Sequence, residues 1–186
     1  MRSVLDVIRD RRSQKTFTTR PVSADDIRTL LDAAVLAPNH KMTQPWTFAV
    51  LGPQARRAYG EVKAQRVPDA TDAALVSEKR AKIMTETAAL PAVIMVMQRV
   101  DADAHRAKED YAAIFMGIEN MLLVATSLGL GSKVHTGEIM AAPAIRELVK
   151  ADENEEIVAM LHIGEAAEAM KPKARIPAAA RTRWIP

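Results

Sequence analysis

With 48% hydrophobic and 26% charged residues, a chain of 186 residues has the balance and size of one globular domain rather than a disordered tail. It holds no cysteine, which excludes a disulfide scaffold, a thiolate metal site, an iron–sulfur cluster and a cysteine nucleophile. The net charge of +3 hides an asymmetry, because residues 1–20 are net +4, residues 171–186 are net +5, and the stretch between is net −6. Basic ends on an acidic body suit three arrangements: arms on nucleic acid, a clamp folded around a phosphate, or solvated termini. No signal-peptide core is visible, since Asp6 and Arg9 interrupt the apolar residues near the N-terminus. No uncharged run approaches the roughly 18 residues of a membrane span, so a soluble cytoplasmic protein is expected.

A short first helix fits residues 3–11, with Val4, Leu5 and Ile8 on one face. The second is clearer: Ile27, Leu30, Leu31, Ala34 and Val35 recur at helical spacing, Ser23 and Asp26 form a capping-box pattern, and Pro38 stops the run. After a polar loop over residues 39–45, residues 46–51 read as a buried strand closed by Gly52 and Pro53. Residues 54–88 are polar, alanine-rich and helical in propensity, as one or two surface helices broken near Pro68. Pro91 opens the apolar run 92–97, which fits a strand covered on both faces.

A long helix from about residue 104 to 128 carries Tyr111, Ile114, Ile118, Met121, Ala125 and Leu128 as a stripe, widened by Phe115 and Leu122. It is either the central core helix or half of a dimer interface. Gly129 and Gly131 end it and lead into an extended segment over 132–136. A helix near 142–150 and a strand over 157–163 follow, and the proline-bearing tail 165–186 is extended. One sheet with helices around it gives an α+β or α/β arrangement in a single domain.

No nucleotide-binding glycine motif, HExxH or GxSxG is present, and the four histidines show no metal-ligand spacing. His162, alternating inside an apolar strand, reads as a hydrogen-bonded core residue. Three polar islands remain: residues 11–15, residues 37–46, and residues 131–137 together with 171–175. Two guanidinium groups and a hydroxyl at Arg11, Arg12 and Ser13 suit a phosphate, or else simply the C-terminal dipole of the first helix.

The ordered set Arg11-Arg12-Ser13 with Phe17, then Pro21-Val22-Ser23, residues 30–34, Ala37-Pro38 and 44–48 resembles the opening of the nitroreductase family of flavoproteins. The likeness continues at residues 129–131, 163–165 and 172–177, and is nearest to the short, minimal bacterial branch. It implies an α+β homodimer with a mostly antiparallel central sheet, interface helices, and a tail over residues 165–186 that wraps the partner. It also implies FMN bound between subunits, with NAD(P)H as reductant. Arg11, Arg12 and Ser13 then match phosphate and ribityl contacts, and Lys15 a lysine at the flavin pyrimidine edge. Leu36 and His40 match contacts made from the other subunit. Val134, His135 and Thr136 match the segment that lines the ring, and Lys173 and Arg175 a second phosphate clamp. Met42 departs from the pattern, standing where many relatives have asparagine.

The implied activity is hydride transfer from NAD(P)H through flavin N5 to nitro compounds, quinones or similar acceptors, with no catalytic side chain and no metal. Another reaction on the same flavin fold, such as dehydrogenation or flavin remodelling, is one rival. A basic-tailed nucleic-acid-binding module is the other, and a chain only 4% aromatic gives it few stacking platforms.

Overall fold

A computed structural model of the chain describes residues 3–186. Four strands, β1 (Trp46–Val50), β2 (Ala92–Arg99), β3 (Gly131–His135) and β4 (Glu155–Gly164), form one antiparallel sheet in the order β1-β2-β4-β3. The helices are α1 (Val4–Asp10), α2 (Ala24–Val35), α3 (Pro53–Gln65), α4 (Ala73–Ala88), α5 (Ala104–Ser127) and α6 (Pro143–Val149). The expected break near Pro68 therefore separates two helices, α3 and α4.

β2 is the centre of the molecule because its side chains are apolar on both faces. Ile94 and Val96 turn toward α2 and α5, while Val93, Met95 and Met97 turn toward α3 and α6. Each such buried side chain stabilises the fold by roughly 1.5–3 kcal/mol. On β4 the alternation slips once: consecutive Val158 and Ala159 both join the α2/α5 side. The register shift opposite Val96 and Met97 explains this, since a bulge inserts one residue and resets the period.

Local chemistry sets the helix boundaries. The Ser23 hydroxyl accepts the Asp26 amide and starts α2, and Asp103 caps α5 by accepting the His105 and Arg106 amides. α2 and α5 approach closely at Gly117, where a Cβ would fall 2.9 Å from the Ala34 carbonyl oxygen. Asn120 donates to the Ala33 carbonyl across the same contact at 3.1 Å.

Two expectations change here. α1 buries Val7, and its Val4, Leu5 and Ile8 face stays exposed. On α5 the stripe is buried from Ile114 to Ala125, but its ends, Tyr111 and Leu128, are nearly half exposed. A helix of 24 residues, about 36 Å long, carries its ends past the sheet that covers its middle.

Candidate functional site

The segment after α1 clasps the edge of the sheet. Ser13 pairs with Ser132 on β3, Phe17 pairs with Ala166 beyond β4, and the Gln14 amide donates to the Ser132 carbonyl at 2.9 Å. Glycine at 131 permits this approach, because a Cβ there would meet Gln14 Cγ at 2.5 Å. Residues 11–15 are thereby laid beside β3.

The C-terminal residues 170–175 return to the same place and close a cavity of about 660 Å³. Among the described residues its basic lining comprises Arg9, Arg11, Arg12, Lys15 and Lys133 from the body and Lys171, Lys173 and Arg175 from the tail. Glu119 is the one acid there, 3.7 Å from the Arg11 Nε. Arg12 divides its guanidinium: Nη1 donates to the Arg9 and Arg11 carbonyls at the end of α1, while Nε is buried without a partner. Both sequence readings of this arginine, helix-end partner and cavity cation, therefore have a place in the geometry.

A second cavity of about 330 Å³ adjoins the first, sharing Lys15 and Lys133 as walls. His135, His162, Lys63 and Thr87 also line it. Strand alternation decides which part of 133–135 faces it: Lys133 and His135 share this side, and Val134 turns its side chain into the core against α5. Of Val134, only the backbone is left for a ligand. Thr136 lies past the strand, on a third cavity beside Lys63 and Glu138.

The histidines at 135 and 162 meet across the β3–β4 pair with ring centroids 4.2 Å apart. His162 is buried, as expected, but its Nε2 has no hydrogen-bond partner, and neither has that of His135. Burial first, then the Lys133 and Lys63 charges, lowers the His135 pKa to about 4. Burial, then His135, Lys63 and Lys133, depresses His162 further. With their pKa values lowered in this way, the rings add no positive charge to that of the lysines at pH 7. Lys63 itself is shifted down by burial and Lys133, with Glu86 opposing, and it donates to the Thr87 hydroxyl at 3.2 Å.

Lys63 and Thr87 were invisible as site residues because they sit in featureless polar helices. Lys133 was reachable from sequence: counting two back from His135 on a strand places it on the same face. Among the described residues no metal-holding cluster of His, Cys, Asp or Glu exists.

Leu36 and His40 line neither of the first two cavities. Leu36 is 80% exposed at the end of α2, and His40 sits on a separate small cavity beside α5.

The sequence pattern of the Nitroreductase family matches residues 8–165, which includes the clasp, the sheet and every strand. The chain belongs to the nitroreductase family. YfhC of Bacillus subtilis, named as an NAD(P)H nitroreductase, is 28% identical over 177 residues, covering 92% of this chain and 89% of its own. A nitroreductase-like family protein from Bacillus cereus superposes with a TM-score of 0.85 at 28% identity, covering 100% of this chain and 97% of that one. A Desulfovibrio desulfuricans protein, described as a nitroreductase in complex with FMN, shares the fold at a TM-score of 0.75 and 24% identity over 100% and 98% of the chains. The chain has the α+β antiparallel-sheet architecture of those structures. None of the helices in the described residues is long and apolar enough to cross a membrane.

Proposed function

We propose that this nitroreductase-family chain is an FMN-dependent oxidoreductase that uses NAD(P)H to reduce nitro compounds, quinones or similar electrophiles by a ping-pong sequence. The observation that carries the reading is the larger cavity, where eight basic side chains face one carboxylate. Clustered like charges repel one another, and a dianionic phosphate relieves that repulsion through charge-assisted hydrogen bonds. The unpartnered Arg12 Nε is a donor with no acceptor of its own at this cavity. The residues fit the group.

In this reading Arg11, Arg12, Ser13, Lys173 and Arg175 hold the phosphate and ribityl chain. Lys15 and Lys133 line both cavities, and Lys63 and Thr87 line the smaller one. These ammonium groups place positive charge along a planar ligand's edge and favour an anionic form there. The flavin, when bound, supplies the hydride chemistry between a reduced nicotinamide and the acceptor. The protein binds, orients and tunes.

A second copy of the chain completes the site. Leu5 and Ile8 on α1, Leu36, Met116 on α5, and Trp184 and Ile185 in the tail are exposed apolar side chains, Trp184 by 91%. Exposed apolar side chains of this size support the reading that another subunit covers them. The separation of Leu36 and His40 from the basic cavity fits a contribution across that boundary.

The deciding experiment is an absorption spectrum of protein incubated with FMN and then desalted, followed by NADPH and NADH oxidation with a nitroaromatic and a quinone. Retained flavin near one per subunit and acceptor-dependent oxidation are expected. Protein that neither retains FMN nor binds it in titration ends the proposal.

A further inference from the structure

The loop between α2 and β1 has a backbone the chain does not adopt cheaply. Lys41, Met42 and Gln44 all have left-handed φ values, of 51°, 54° and 46°, and none is glycine. In such a conformation the Cβ of an L-residue crowds the following carbonyl oxygen, so only glycine and, less often, Asn or Asp adopt it freely. Strain of that kind persists only where surrounding contacts over-determine the geometry. Here the contacts are specific. Asn39 Oδ1 accepts the Gln44 amide at 3.0 Å and closes the loop on itself. The Thr43 hydroxyl donates to Asp110 Oδ1 at 2.5 Å, and that carboxylate is only 2% exposed on α5. Beside it on the same helix, Glu109 Oε2 lies 3.1 Å from His40 Nδ1.

Two consecutive carboxylates of α5 thus contact the loop at separate points, Asp110 at the Thr43 hydroxyl and Glu109 at the His40 imidazole. The second grip has chemical content. A carboxylate oxygen 3.1 Å from His40 Nδ1 favours a proton on that nitrogen and leaves Nε2 on the far side of the ring. The other groups around this small cavity are Lys41, Asp103, His105 and Arg106. Asp103 is occupied in capping α5, Arg106 pairs with Asp101 at 3.1 Å, and His105 Nδ1 stands 3.6 Å from the second oxygen of Glu109. Glu109 is therefore the carboxylate on this cavity that holds His40.

We propose that Glu109 is a positioning residue: with Asp110 it locks the strained loop and fixes His40, Nε2 outward, to meet the flavin held by the partner subunit. This rests on the FMN-bound dimer proposed above. It adds residues from a helix that contributes only Glu119 to the basic cavity.

Glu109→Ala and Glu109→Gln in the full chain test it, with circular dichroism melts confirming that each folds. Nitrogen-15 NMR of the histidine rings reads the tautomer without any cofactor. The wild type is expected to carry the His40 proton at Nδ1, E109Q to retain it there, and E109A to lose that preference. FMN affinity, read by quenching of flavin fluorescence, is expected to fall roughly tenfold in E109A, in line with a lost charge-assisted hydrogen bond, and by less in E109Q. An E109A protein with the wild-type tautomer overturns the proposal, and so does one with an altered tautomer but unchanged FMN affinity. A wild type that binds no FMN overturns the proposed function, while the tautomer comparison still decides whether Glu109 positions His40.

Discussion

Two charged regions of this molecule are built on opposite plans. Around the cavity between residues 11–15 and 171–175, eight cations stand against the single carboxylate of Glu119, and two neutral histidines on the adjoining cavity leave nitrogens unpartnered. Around residues 40–43 and 101–110 the carboxylates have partners within the chain: Glu109 with His40, Asp110 with Thr43, Asp101 with Arg106, Asp103 with the start of α5. Uncompensated charge is repulsive and needs something external, whereas compensated charge holds geometry. In the function proposed above, the first region binds and the second positions.

The sharpest way to break this contrast is to remove cations from the first region. The double substitution R11A/R175A is expected to weaken FMN binding roughly a hundredfold, the scale of two charge-assisted contacts, and flavin titration of the variant checks it. Unchanged affinity would mean that the charge accumulation has no ligand. Next in size is Gly131→Ala, whose Cβ would press on Gln14 and push the clasp off β3. A loss of roughly 1–3 kcal/mol in urea unfolding is expected, together with weaker flavin retention.

A pH experiment sharpens the comparison further. His162, and His135 at about 4, bind protons more weakly in the fold than the 6.5 of an unfolded histidine. Their contribution to stability is therefore complete above about pH 6.5 and is lost as pH falls from there, toward about 4 for His135 and lower still for His162, because the unfolded chain takes up protons that the folded one refuses. Replacing His162 by Gln should flatten that decline by up to about 1.4 kcal/mol per pH unit. Urea midpoints at pH 7, 6 and 5 check it, and parallel curves for the two proteins would contradict it. The smallest effect belongs to the positioning region. Met42 is left-handed and exposed, and asparagine tolerates that conformation better. M42N should raise stability by about 0.5 kcal/mol, read as a higher Tm.

Periodicity made α2 and β2 readable because their patterns come from burial itself, and the structure buries Leu30, Ala34 and residues 92–97 accordingly. The same reasoning grouped Val4, Leu5 and Ile8 correctly on one face and then had no means of knowing what lies against that face. Among the described residues Val4 and Leu5 stay mostly exposed, and the half-exposed Ile8 lines the basic cavity. The basic ends were legible as a charge imbalance, and the family likeness placed Arg11, Ser13, Lys173 and Arg175 near each other, as the cavity does. Lys63 and the His135–His162 contact were beyond reach. Residues 63, 87, 133 and 162 come together only when α3, α4 and two antiparallel strands have docked, and no local pattern encodes that. The asparagine expected at position 42 acquires a reason only from the backbone: the loop is left-handed there.

The clasp of residues 13–17 has a consequence outside binding. β3 is an edge strand, and an edge strand with free amide and carbonyl groups recruits other chains into its sheet. By taking the Ser132 carbonyl for its own amide, Gln14 blunts that edge with the segment that carries Arg11, Ser13 and Lys15. A ligand that tethers those residues to the tail therefore also keeps the sheet sealed, so shelf life in solution and cofactor occupancy are expected to rise and fall together.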